Sequence, residues 1–175
     1  AQDRRDAFYT YKQTFCEGEH CWQRTGIIGL LAAKGYAEGV VPHEETFPKV
    51  KEDRLNLLRG TETHSESIFG IFDELSPKVK DRIEDLETKV LEFTDPQGVR
   101  HCLFRICDPE TVQAITEELR SKTVLIADGH HRFETSSRYA QENLSSPAKQ
   151  FVLATLVPSN DPGLLVFPTH RLVKD

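Results

Sequence analysis

The sequence predicts an α+β fold: a mixed, mainly antiparallel sheet with flanking helices. Three observations point there. Strand-like runs and helical periods alternate irregularly along the chain. The turn signal Asp95-Pro96-Gln97-Gly98 separates two strand runs and predicts a β-hairpin. The N-terminal stretch through Val41 is β-prone without a helical period, so the regular alternation of a doubly wound sheet is missing. The 175 residues suffice for one α+β domain spanning 1–175. A start at Ala1 and the lack of methionine suggest a fragment of a longer chain.

Taken in order, Ala7 to Phe15 is aromatic and β-prone, and Cys16 to His20 is a turn. Trp22 to Ala33 reads as a strand, with Gly26 and Gly29 marking a bulge or a close backbone approach. Lys34 to Gly39 turns the chain into Val40-Val41. Pro42-His43-Glu44-Glu45-Thr46 follows a strand end, where His43 and Glu44 could hold a metal or move a proton. The spacing predicts a helix over Lys49 to Thr63 with Leu55 and Leu58 inward. Its charges read as a solvated face, with Lys49, Asp53 and Arg54 worth testing as site residues. Ser67 to Phe72 is a short buried strand, and Ser76 to Thr88 a helix with Pro77 in its first turn and Val79, Ile83 and Leu86 on one face.

Lys89 to Thr94 and Val99 to Ile106 form the predicted hairpin. Asp108-Pro109 opens a helix as acidic N-cap and N1 proline, with Val112, Ile115 and Leu119 as its core stripe. Thr123 to Ala127 is a buried strand. In the helix after it, Phe133, Ser137, Ala140 and Leu144 share the inward face, and Glu134 and Arg138 sit four apart for a surface pair. Gln150 to Val157 is a strand, Ser159 to Gly163 a turn, and Leu164 to Phe167 a last strand before Pro168-Thr169-His170-Arg171.

Composition limits the function. A net charge of −6 argues against general attraction to nucleic acid or to an anionic membrane. No apolar run approaches a membrane span and no signal peptide is visible, so a cytoplasmic setting is expected. Cys16, Cys21, Cys102 and Cys107 make two pairs with loose spacing for zinc, and reduced thiols are expected.

The chemistry concentrates in Thr123 to Thr135. A strand runs into Asp128-Gly129, and a helix-competent segment opens with His130, His131 and Arg132. Gly129 can take a positive φ. A helix opening there presents unpaired N–H groups and the positive end of its dipole, which suits a phosphate. His170-Arg171 after a later strand suggests a second strand end meeting the first in one cleft.

The run Ile126-Ala-Asp-Gly-His-His-Arg-Phe-Glu-Thr135 resembles the signature of the bacterial and archaeal domain of unknown function 1015 family. Arg24-Thr-Gly26, Pro42-His-Glu44, Lys51-Glu-Asp-Arg54, Gly163-Leu164 and Pro168-Thr-His-Arg171 agree with it in order. Chains of that family are longer. The Asp128 to Arg132 turn is also similar to the phosphate-handling turn of the ParB, sulfiredoxin and free-serine-kinase superfamily. That second resemblance implies nucleotide binding through Asp128, Gly129, His130, His131 and Arg132, with Glu44 as the candidate catalytic carboxylate.

These readings together lead to an expectation of phosphoryl transfer, as in a small-metabolite kinase using ATP or ADP with Mg²⁺. Gly129 and the following amides, Arg132, Thr135, His170 and Arg171 would hold the phosphate compound. His130 and Arg132 would neutralise charge, and His131 and His170 would orient oxygens. Asp128 or Glu44 would hold the metal or accept a proton. A metal-dependent phosphohydrolase using His130, His131, Glu44 and His170 is the alternative, and a non-catalytic nucleotide-gated module the third. Substrate, acceptor and oligomeric state are not legible in the sequence.

Overall fold

A computed structural model describes residues 5–36, 39–46 and 48–166. Its strands are β1 (Phe8–Glu17), β2 (His20–Ala32), β3 (Val40–Val41), β4 (Ile68–Phe72), β5 (Thr88–Thr94), β6 (Arg100–Ile106), β7 (Val124–Asp128) and β8 (Phe151–Pro158). Its helices are α1 (Pro48–Thr61), α2 (Pro77–Leu86), α3 (Pro109–Arg120) and α4 (His130–Glu142), with a short 3₁₀ turn at Pro147–Gln150.

The eight strands form one sheet in the order β3-β7-β4-β8-β2-β1-β6-β5. Two contacts, β3 with β7 and β4 with β8, are parallel, and the other neighbours are antiparallel. The predicted α+β class with a mixed, mainly antiparallel sheet is therefore correct.

Side chains paired across strands share a face, so register locates the core. Thr10 pairs with Ile27, Ile27 with Leu156, Leu156 with Gly70 and Gly70 with Ile126. The buried cluster lies on this face, and Val79, Ile83, Ile115 and Phe133 bring α2, α3 and α4 onto it. Full burial of Phe133 contributes roughly 1.5–3 kcal/mol. Leu55 and Leu58 of α1 pack with Tyr139, so α1 rests on α4. The opposite face carries Tyr9, Ile28, Thr155 and Phe69, again by register. Leu30, Val41 and Leu125 lie exposed on it.

Local signals account for the element ends. Asp108 caps α3 by accepting from the Thr111 amide at 2.9 Å, with Pro109 following; such a cap is worth about 1 kcal/mol. Asp95 accepts from the Gln97 and Val99 amides and holds the β5–β6 turn, where Gly98 has φ 84°.

Several expectations are corrected. Cys16 and Cys21 form a disulfide across the β1–β2 hairpin, so reduced thiols hold only for Cys102 and Cys107. The hairpin makes them direct partners in register, a proximity that linear spacing hides. Leu86 is exposed because α2 ends there. Leu144 is 79% exposed because α4 has already closed at Asn143. Glu134 and Arg138 do not pair; Glu134 turns to Tyr36, Thr46 and Lys51, and Arg138 to Glu52. Leu164 to Val166 is not a strand, and Phe167 lies outside the described residues.

Gly70 has a packing reason. A Cβ there would lie 2.7 Å from Val124 Cγ1 and 2.8 Å from Leu156 Cδ2. Gly70→Ala is expected to overpack the core and lower the unfolding free energy by about 1–3 kcal/mol. A urea titration that left the midpoint unchanged would contradict this.

Candidate functional site

Strand β7 delivers Asp128 to the sheet's end, opposite Phe69 in register. Gly129 then takes φ 94° and ψ 26° as the N-cap of α4. An L side chain is disfavoured at this φ. A Cβ at Gly129 would also lie 3.0 Å from Arg132 Nε and Nη2, and 3.1 Å from Ile68 Cγ2. Arg132 therefore folds back over the glycine. Gly129, which has no side chain, gives the first turn of α4 no side-chain cap of its own.

Arg132 stands between two carboxylates. Nη2 donates to Asp128 Oδ2 at 2.6 Å, and Nη1 donates to Glu66. Both acids are largely exposed, so water screens these pairs and each is worth little on its own. A recess of about 50 Å³ adjoins them, lined in part by Arg54, His64, Glu66, Arg132 and Thr135.

His130 is buried behind the turn. Its Nε2 accepts from the His43 amide at 3.2 Å, which leaves the proton of a neutral ring on Nδ1. Glu44 Oε1 lies 3.1 Å from Nδ1, yet the pair lacks hydrogen-bond alignment and Nδ1 counts as unsatisfied. The contact is thus electrostatic rather than a directed bond. Desolvation pushes the His130 pKa down; Glu44 opposes the shift and His43 adds to it. The His43 ring meets His130 edge-on at 4.6 Å, and its Nε2 donates to the Ala127 carbonyl at 3.0 Å.

Glu134 ties this corner together. It accepts from Tyr36 Oη at 2.9 Å, Thr46 Oγ1 at 2.7 Å and Lys51 Nζ at 2.8 Å. Burial raises its pKa, but these three donors outweigh that and hold the carboxyl below its usual range. The segment bearing His43 and Glu44 is thereby fastened to α4.

The structure brings Asp128, Gly129, His130, Arg132, Thr135 and Glu44 to one corner. His131 is half-buried in the first turn of α4. Thr135 is buried, and among the described residues Oγ1 has no hydrogen-bond partner. Asp53 and Arg54 are exposed on α1, and Arg54 reaches the recess. His170, Arg171 and the side chain of Lys49 lie outside the described residues. Among the described residues, no three His, Cys, Asp or Glu side chains converge as metal ligands.

Sequence reasoning did not anticipate Glu66, Tyr36 or Thr46 here. Glu66 is 66 positions from Arg132, and nothing in its neighbourhood marks it. Lys51 and its partner Glu134 both belonged to runs already noted, but nothing in the sequence joined the two.

The family model described as a protein of unknown function (DUF1015) matches residues 1–175, and the chain belongs to that family. No curated protein and no solved structure matches it.

The His130 shift has a consequence for pH dependence. A depressed folded pKa means that the unfolded chain binds the proton more readily. The resulting stability is present above the ordinary value of 6.5 and is lost as pH falls through the lower folded value. Urea unfolding from pH 8 to pH 5 should therefore show a decline that His130→Gln makes shallower. Parallel profiles would remove His130 as the cause.

Proposed function

We propose that this member of the family binds a nucleotide or another small phosphate compound at the N-terminus of α4 and carries out phosphoryl transfer there. One observation carries the reading. Among the described residues, His130 Nδ1, Arg132 Nε and Thr135 Oγ1 are all buried without a hydrogen-bond partner in the first two turns of one helix. Leaving a buried polar group unpaired costs about 1–3 kcal/mol, so a cluster of them marks a place built for a ligand.

The chemistry follows from the surroundings. The first turn of α4 and Arg132 offer donors and positive charge to phosphate oxygens. An incoming phosphate displaces Asp128 and Glu66 from Arg132. Because His130 is held neutral, the charge-neutralising role falls to Arg132 and the amides. His130 is better suited to share a proton with Glu44. In the transfer, a bond forms from the acceptor oxygen to the phosphoryl phosphorus as the bond to the leaving oxygen breaks, and Glu44 takes the acceptor's proton. Magnesium would arrive with ATP or ADP, with Asp128 and Glu44 as the nearby carboxylates. The local similarity to the ParB, sulfiredoxin and free-serine-kinase turn supports the phosphate assignment by analogy. Metal-dependent hydrolysis lacks a comparable supporting observation, and the net charge of −6 works against a DNA-binding module.

Thermal shift against ATP and ADP, with and without Mg²⁺, tests this. Saturation at a hundred times Kd should stabilise the protein by about 2.7 kcal/mol. Arg132→Ala should weaken binding about ten- to a hundredfold, the cost of a charged hydrogen bond. Glu66→Gln should preserve or tighten it by freeing the guanidinium. No shift with any nucleotide or phosphate compound ends the proposal.

A further inference from the structure

A second constellation lies on the sheet face away from the core. His101 of β6 pairs with Gln13 of β1, and Gln13 with Arg24 of β2, so the three share a face with Tyr11. Asp95 Oδ2 lies 3.0 Å from His101 Nε2, and Tyr11 Oη lies 2.6 Å from His101 Nδ1. Carboxylates only accept, so Nε2 carries a proton to Asp95, and in the neutral ring Nδ1 then accepts from the tyrosine hydroxyl. The imidazole is nearly buried, between Phe93 stacked at 4.7 Å and Tyr11 at 5.8 Å. The result is a directed chain, Asp95–His101–Tyr11, with its base side toward the phenol.

Tyr11 ends that chain at a cavity of about 170 Å³, which Arg24, Ser67, Phe69 and Thr155 also line. Arg24 is the one charged side chain of that lining. Its Nε and Nη2 both donate to the neutral Gln13 Oε1, at 3.2 and 2.6 Å. Among the described residues no carboxylate pairs with it. Its guanidinium lies 5.5 Å from the Phe69 ring centroid and 6.0 Å from that of Phe15. An arginine flanked by aromatic rings and paired, among the described residues, only with a neutral amide is preorganised for an external oxyanion. One cation and a small cavity match one negative charge, hence a carboxylate.

We propose that this cleft binds a small carboxylic acid through Arg24, and that Tyr11, backed by His101 and Asp95, takes a proton from an acidic hydroxyl of the same ligand. The ligand's O–H bond breaks as a new O–H forms on Tyr11. The original Tyr11 proton moves to His101 Nδ1, and Asp95 balances the imidazolium. No other reactant is needed. Tyr11 and Arg24 touch the ligand; His101 and Asp95 act through Tyr11. The cleft adjoins the α4 turn, since Phe69 is the cross-strand partner of Asp128, but it shares no lining residue with the recess at Arg132, and the proposal stands without the phosphate reading.

A hydroxynitrobenzoate is a suitable probe, because its phenol changes colour on ionisation, and nitrobenzoate is the control without the acidic proton. Both should perturb NMR signals of Arg24 and Thr155 at millimolar concentrations or below. Only the hydroxylated probe should turn to its coloured phenolate on binding and convert His101 to the doubly protonated ring in ¹⁵N spectra. Arg24→Gln should weaken both probes at least tenfold. His101→Gln should keep nitrobenzoate binding but abolish the colour change, which a purely structural His101 would not do. Arg132→Ala should alter neither. Binding that Arg24→Gln leaves intact, an absence of any perturbation in the cleft, or a colour change that survives His101→Gln overturns the proposal.

Discussion

The left-handed conformation at Gly129 is the constraint on which the candidate site depends. It lets β7 end and α4 begin within one residue, with Phe133 carried into the core beside Ile68. The same turn places a residue without a side chain at the N-cap of α4 and brings Arg132 across the glycine backbone. Core packing and the geometry of the candidate site are therefore coupled here. The core contact sets the direction of the helix, and the direction aims its positive end.

Around that turn, the ion pairs differ in how far water reaches them. Glu134 takes three donors in a half-buried setting and fastens Tyr36, Thr46 and Lys51 to α4. The Asp128–Arg132–Glu66 cluster is exposed on its acidic side, so water and ligands compete for it. The Glu134 contacts hold the geometry, and the exposed Arg132 contacts are open to exchange. His130 sits behind both, kept neutral by desolvation.

Much of this was legible beforehand because it is local. The hairpin at Asp95 to Gly98, the Asp108 cap and the Gly129 junction each arise within a few residues, where turn chemistry and capping act. Where the reading failed, a distant partner or an early chain end intervened. Glu134 preferred Tyr36, Thr46 and Lys51 to its helical neighbour because the fold brought stronger donors close. Leu144 continued the inward stripe on paper, but α4 had already closed at Asn143.

The sequence by itself determined the fold class, the strand–glycine–helix junction and the cluster of His130, His131 and Arg132, since periodicity and glycine conformation are properties of short stretches. Only the tertiary structure decided that Glu66 would hold Arg132, that Cys16 would bond Cys21, and that Tyr11, Arg24, His101 and Asp95 would gather on one face. Those meetings depend on strand order and register, and a linear pattern does not say which strand will lie beside which.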